Sequence, residues 1–582
     1  MFINPRHWCR FVWKPFVFLI LATTLGWSES SSVIKVKAYG LIGDGITDDG
    51  IGLQKLLNAT ENKISTVIEF EPNKIYRLKT GTNGYVFNLK GKENLTINGN
   101  HSIFLIDPSL RSINIQNASK VNVRNMKIDY DPLPFSQGRI VKSSSLKRFI
   151  DVEIDPGFAI PPQMEQVFRT PTDSQPFFGI LWGGSDENRT TKGHLHIDRM
   201  IPMEDLSKGE RTAGRQMRIF VNRNFGHYED IVEGQTLIDL PISQIAHLVG
   251  LGENCRVEYS SDIQLEGIDL WSAPWFAYVI RYNRGDLIFK NVNVIPKPGT
   301  SRRMSSWRDG FHLKGNSGKI LFEKCTLIGM HDDAFNISTH FSKITKILSD
   351  QEIVVSQNFK IQYVPWNSNG EIEVADFATQ SWVGSSPILS KQEVGLSPDW
   401  TLYSRETPEV TLKLKNSIPG MKVGQYVWDA TAANPSVVID GVYADNSSRF
   451  RCPHMKIKNS TFKAFVWFMT DSDHIEGSFP HDIQISDSRF IQGRGNKSIA
   501  VAVNGAPFRA ISQEEEKNRI RLVKNFKIER TQFDGDISVI GVDDFVFKDC
   551  SFIRKDSIYT VQGSRNVSEQ DCKFEESIER KD

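Results

Sequence analysis

Apolar residues along the chain recur in short alternating runs rather than at helical spacing. The segments VNVRNMKI from Val121, IQLEGIDL from Ile263, LIFKNVNV from Leu287, ILFEKCTL from Ile320, MKIKNSTF from Met455, IQISDSRF from Ile483, FKIERTQF from Phe526, FVFKDCSF from Phe545 and VSEQDCKF from Val567 align without gaps. Places 1, 3 and 8 are mostly apolar, and place 5 is polar or Gly. Alternation puts places 1 and 3 on the inward face of a short strand, and place 5, often Asn or Asp, at a corner of the chain. Offsets of 24 (263 to 287), 19 (526 to 545) and 22 (545 to 567) residues each span one strand-rich coil. A period of this size implies a solenoid. Coils built from strands alone predict an all-β fold, a right-handed parallel β-helix.

Two stretches interrupt the period. Residues 131–255 and 342–436 carry alternating runs (LKRFIDVEI, RQMRIFV; KITKILSDQEIVV, VTLKLKN) without the repeat. They are expected to be two antiparallel β-barrel-like insertions growing from loops of the coils, where binding walls are built. Near the start, YGLIGDGITDDGIGLQKLLNA places Asp48 or Asp49 at a helix N-cap, followed by apolar Ile51, Leu53, Leu56 and Leu57. This predicts a short N-terminal helix capping the open end of the solenoid; the glycines do not fit a dinucleotide-binding GxGxxG. The expected organisation is a leader over 1–28, cap and first coils over 29–130, an insertion over 131–255, central coils over 256–341, a second insertion over 342–436 and C-terminal coils over 437–582.

The leader rests on Arg6, Arg10 and Lys14 preceding the apolar run FVFLILATTL and the small residues Gly26 and Ser28, the layout of a secretory signal peptide. Its ten-residue apolar run is too short for a bilayer of ~30 Å, so the protein is expected to be secreted or periplasmic with no membrane span. Seventy Lys and Arg against 69 Asp and Glu give a formal charge of +1, and loss of the three leader cations takes it to −2. This balance offers no footprint for nucleic acid. Cysteines 255, 325, 452, 550 and 572 have no paired spacing and no CxxC. Three of them, Cys325, Cys550 and Cys572, occupy place 6 of the repeat, which favours stacked core thiols over disulfide bridges.

The period also gathers carboxylates. Superposing DGFHLK from Asp309 on DAFNIS from Asp333, again 24 residues apart, pairs Asp309 with Asp333, His312 with Asn336 and Lys314 with Ser338. With adjacent coils ~4.8 Å apart, Asp309, Asp332 and Asp333 should cluster at a strand edge. His312, Lys314, Asn336 and Ser338 should face outward, with Phe311, Leu313, Phe335 and Ile337 in the core. One coil earlier, Trp271, Trp275 and Tyr278 are expected on the same face, with Arg281 in register with Lys314; Trp307 stands beside them. Aromatic rings next to acids and hydrogen-bonding groups suit a carbohydrate substrate. Crowded carboxylates raise one pKa and so create a general acid, while another can activate water. A calcium site is the rival reading of the same acids. No cofactor and no metal site is assigned.

YGLIGDGITDDG resembles the opening motif of pectin-lyase-like β-helix enzymes. KIDYDPLPFSQGRI from Lys127, together with DG at Asp309 and HDDAFNI from His331, resembles glycoside hydrolase family 110. The resemblance implies a β-helix with β-barrel insertions that releases terminal α-1,3-linked galactose with inversion and without metal, and it implies Asp309, Asp332 and Asp333 as catalytic acids. By analogy with β-helix polygalacturonases, Asp332 would be the general acid, and Asp309 with Asp333 would hold the water. The polygalacturonase Asn-Thr-Asp and Arg-Ile-Lys signatures are missing, which disfavours uronic-acid substrates. The expected function is therefore an exo-glycoside hydrolase, α-galactosidase-like, acting on terminal α-galactosyl glycans or galactan oligosaccharides. The alternatives are a β-helix polysaccharide lyase or epimerase using His312, Lys314 or Arg281, and a non-catalytic glycan-binding β-helix protein.

Overall fold

The computed structural model describes residues 32–60, 65–162, 164–165, 178–183, 190–203, 215–221, 231–242, 253–357, 365–394, 409–470, 476–492 and 499–581. The leader expected over 1–28 lies outside the described residues. No helix of the described residues is long and apolar enough to cross a membrane.

The chain is a right-handed parallel β-helix. One sheet runs in chain order from Tyr85–Asn88 to Glu579–Lys581, and a second, larger sheet carries the repeat segments around the other faces. The alignment read from the sequence is the register of that larger sheet: Val121 pairs Ile263, Ile263 pairs Leu287, and Leu287 pairs Ile320. Beyond the second insertion, Ile483 pairs Phe526, Phe526 pairs Phe545, and Phe545 pairs Val567. Three further coils escape a gap-free alignment. Thr66 pairs Leu95, and Leu95 pairs Val121 across an irregularity between Asn98 and Ser102. Ile320 pairs Val437, its partner displaced along the chain by the second insertion.

From Val121 onward, place 5 of the repeat is a left-handed corner in ten coils. Asn125, Gly267, Asn291, Lys324, Gly441, Asn459, Asp487, Arg530, Asp549 and Asp571 all have φ between 45° and 67°. Only Gly, Asn and Asp adopt this region readily, and other L-residues pay roughly 1–2 kcal/mol for it, which explains why place 5 is so often Asn or Asp. Lys324 is a costly occupant. Lys324→Asn is expected to raise the denaturant midpoint by the equivalent of about 1 kcal/mol, whereas Asn459→Ala lowers it by more, since it also removes the 2.9 Å bond from Asn459 Nδ2 to Asp440 Oδ1.

Inside, like residues stack from coil to coil. Tyr278, Phe311 and Phe335 stack with ring centroids 4.8 and 5.7 Å apart. A buried amide ladder runs from Asn283 Nδ2 to Asn316 Oδ1 at 2.9 Å and from Asn316 Nδ2 to Asn434 Oδ1 at 2.8 Å. These side chains satisfy one another where the chain turns away from sheet bonding. The five cysteines among the described residues are free thiols, Cys255, Cys325, Cys452 and Cys550 buried and Cys572 half-buried.

The N-terminal helix spans Gly50–Asn58 and buries Leu53, Leu56 and Leu57. Ile51, expected on the same face, is exposed. Asp49 precedes the helix but turns its carboxylate to the amides of Ile42 and Gly43 at 2.6 and 3.0 Å; Asp48 accepts from the Gly50 amide instead.

Both interruptions of the period are antiparallel. Between Phe135 and Pro241 the strand pairings return on themselves through the contact of Thr190–Met203 with Gln216–Val221. Between Ser342 and Asp429 six strands form a closed barrel.

Candidate active site

The two insertions grip the same coil at its two ends. At one end His331 Nε2 meets Asp239 Oδ2 of the first insertion at 3.1 Å, with the rings of Trp307 and Trp182 4.7 and 5.9 Å away. Asp239 is fully buried and also takes Trp182 Nε1 at 2.6 Å and Arg303 Nη2 at 3.1 Å. At the other end Phe341 packs 5.2 Å from Trp428 of the barrel. Between these anchors lie Asp332 and Asp333, then the strand Phe335–His340.

The register is the expected one: Phe311 pairs Phe335, His312 pairs Asn336, and Lys314 pairs Ser338. The Gly310 amide bonds the Asp333 carbonyl at 2.9 Å, which brings Asp309 beside Asp333. A Cβ on Gly310 would stand 2.8 Å from the Ala334 carbonyl oxygen, so the glycine after Asp309 lets the two coils approach.

The three carboxyls differ in setting. Asp309 and Asp333 are closed off, each side chain 3% exposed, while Asp332 is 22% exposed. Asp309 Oδ2 lies 2.7 Å from His312 Nδ1. Asp332 Oδ2 pairs with Arg308 Nη1 at 3.1 Å, and its Oδ1 accepts the Asp333 amide at 3.2 Å. Asp333 is held by Arg449 Nε at 3.0 Å and Ser447 Oγ at 2.5 Å. Burial, reinforced by the charge of Asp332, pushes Asp309 well above the carboxylate range against Arg308 and Arg449. Burial likewise raises Asp333 to about 7, although Arg449 opposes it. Burial, and then Lys314, hold His312 well below its ordinary value, so it meets Asp309 as a neutral ring.

Further along the same outward face, Lys314 is fully buried and donates to Ser338 Oγ and to Glu476 Oε1, the latter at 2.6 Å. Arg451 bonds the other oxygen of Glu476 and lies 3.4 Å from Asn336 Oδ1. Although burial disfavours its charge, Lys314 and Arg451 hold Glu476 well below the carboxylate range. Arg281 is in register with Lys314, as expected, but its guanidinium is spent on Glu258 at 3.0 Å.

The aromatic platform needs correction. Tyr278 pairs with Phe311 and lies inside the solenoid. Trp307 is 2% exposed and packs in the core of the first insertion, and Trp271 is 6% exposed beneath Lys297. Neither offers an open ring. Trp275 is half-buried, with Arg308 5.4 Å over its ring. For Trp307 and Trp275 the cause is the first insertion, whose apolar side packs on these rings; Trp271 is covered by Lys297 instead.

Five polar groups at the site were not anticipated. Arg308 adjoins Asp309 in WRDG, and that adjacency was a usable signal. Arg449 and Arg451 flank Phe450 one coil on, where Arg449 pairs with Asn336, so extending the His312–Asn336 column by one coil finds Arg449; Ser447 stands just ahead of the same strand. Glu476 follows no repeat and carried no signal.

No protein-family model matches the chain. It is similar to the α-1,3-galactosidase B of Bacteroides thetaiotaomicron, 23% identical over 342 residues that make up 56% of this chain and 53% of the relative. It is 22% identical to the α-1,3-galactosidase B of Akkermansia muciniphila over 77% of this chain and 54% of that one, and 22% identical to the α-1,3-galactosidase A of Shewanella woodyi over 59% and 54%. The chain thus spans about half the length of the curated relatives it matches. Among solved structures, an endo-xylogalacturonan hydrolase of Aspergillus tubingensis aligns over 94% of this chain and 93% of its own at 8% identity and a TM-score of 0.35. The A-module of an Azotobacter vinelandii mannuronan C-5 epimerase aligns over 94% and 98% at 10% and 0.32.

Proposed function

From this likeness to α-1,3-galactosidases we propose that the protein is an exo-acting glycoside hydrolase that releases terminal α-1,3-linked galactose with inversion. The observation that carries the reading is the trio itself, with one open carboxyl, Asp332, backed by two closed ones whose proton affinity is raised. Carboxyls this tightly coupled share their protons. The cluster therefore keeps a proton at neutral pH, and Asp332, the member within reach of a sugar, passes it to the leaving oxygen. Asp309 and Asp333 hold the water that attacks the anomeric carbon from the other side, and the ionised member of the pair takes its proton as the new C–O bond forms and the glycosidic bond breaks; His312 orients Asp309 and Arg449 orients Asp333.

The rival chemistries find less support. A lyase or epimerase base at Lys314 would need a free amine, and this one is buried against Ser338 and Glu476. A hard cation among the acids would compete with Arg308 and Arg449, whose guanidinium groups already contact Asp332 and Asp333.

Incubating the full chain with an α-1,3-linked digalactoside and following the anomeric protons by NMR tests the proposal. Free β-galactose is expected first. Initial α-galactose would overturn inversion, an unsaturated product absorbing in the ultraviolet would transfer the site to lyase chemistry, and binding without any release would leave a glycan-binding protein.

A further inference from the structure

Away from the trio, two histidines and an aspartate converge on the outside of the solenoid. His454 lies in the turn between the strands Ser448–Phe450 and Lys456–Lys458, and His481 and Asp482 open the strand His481–Ser486 one coil on. The His454 amide bonds the His481 carbonyl at 2.9 Å, so the backbone holds the two coils together at this point. His481 Nδ1 is 2.7 Å and His454 Nδ1 3.4 Å from the same oxygen, Asp482 Oδ2. The ligand atoms of all three residues fall within 4.8 Å of one another.

We propose that His454, His481 and Asp482 bind a divalent transition-metal ion, Zn²⁺ foremost, that clips these two coils together. Zn²⁺ binds His nitrogen and carboxylate oxygen at about 2.0–2.2 Å in a tetrahedron, which sets ligand atoms about 3.3–3.5 Å apart, and the 3.4 Å separation of His454 Nδ1 from Asp482 Oδ2 already has that length. His481 Nδ1 needs to move outward by less than an ångström. The outer shell is also in place. Asn525 Nδ2 bonds Asp482 Oδ1 at 2.8 Å, which fixes the carboxylate and leaves Oδ2 turned to both imidazoles. Outer partners of this kind orient metal ligands. Lys524, in register with His481, is the cation that acts against binding. Three protein ligands leave the fourth position to water on the solvent side, since His454 is half exposed.

Calorimetric titration of ZnCl₂ into the chelator-treated full chain, alongside His454→Ala and Asp482→Asn, tests the proposal. The wild type is expected to bind one more ion than either variant and to melt a few degrees higher with the ion present. Asn525→Ala should keep the ion but bind it about 10-fold or more weakly. Identical isotherms for wild type and His454→Ala, or no binding by the wild type, would overturn the assignment. The His454 side chain is half exposed, so the alanine variant retains the fold; Asp482→Asn, which preserves shape, checks the site independently through a second ligand.

Discussion

Asp332→Asn is expected to lower turnover of an α-1,3-galactoside by roughly 10²–10⁴-fold, the usual worth of a general acid, with the unfolding midpoint almost unmoved. The side chain is the most open of the trio, so its loss removes little packing. Its Oδ1 bond from the Asp333 amide can pass to the asparagine carbonyl, while Oδ2, which faces Arg308, becomes an amide nitrogen whose protons are too weakly acidic to transfer. The pH dependence provides an independent check. Burial raises Asp333 to about 7, against an ordinary carboxyl near 3.8, so the folded chain holds a proton that the unfolded chain releases. As pH climbs through that window the trio loses its proton, and activity falls on the alkaline side near 7. Stability falls over the same window, because the folded state binds the proton more tightly. Neutralising Asp332 removes a charge that raises both Asp309 and Asp333. The residual activity of Asp332→Asn should therefore decline at lower pH than that of the wild type. Unchanged turnover, or an alkaline limb that stays in place, would remove Asp332 from the mechanism.

Glu476→Gln should be the most destabilising single change at the site, by about 3–5 kcal/mol, because removing one member of a buried ion cluster strands the others. Lys314 and Arg451 have fully buried side chains and both meet the Glu476 carboxylate, whose own side chain is 12% exposed. With glutamine there, two cations face each other without a counter-charge. Replacing Lys314 by Met leaves the Arg451–Glu476 pair intact and should cost markedly less, which separates loss of charge balance from loss of packing. The linkage has a definite sign. Glu476 is held well below 4.5 in the folded chain, so its contribution is present above that pH and is lost as pH falls below it. Denaturant midpoints measured from neutral pH downward should therefore show an acid decline in the wild type that is smaller in Glu476→Gln. Equal stabilities for the two at neutral pH would mean that the cluster is not a structural clip. The strand pairing of Glu476 with His340 closes this cluster over the sheet, so the variant should also loosen the face beside the trio.

Much of this architecture is legible in one dimension. Where no insertion intervenes, a solenoid repeats its neighbour contacts at a similar sequence distance, so the columns Ile263–Leu287 and Phe526–Phe545–Val567 are written in the spacing of apolar residues, and the pairing of Asp309 with Asp333 follows from the same period. The left-handed corners are legible too, since an intrinsic backbone preference selects Asn, Asp or Gly at place 5. Only the tertiary structure decided what covers the coils. Trp271 and Trp307 read as sugar platforms because a strand's alternation tells inside from outside, not solvent from another layer; the first insertion encloses Trp307, and Lys297 covers Trp271. Glu476 joins Lys314 across 162 residues, and Asp239 reaches His331 across 92, distances that no period links. Repetition encodes contacts between successive coils, whereas the contacts that insertions make with them arise once each, and the chain carries no second copy against which to read them.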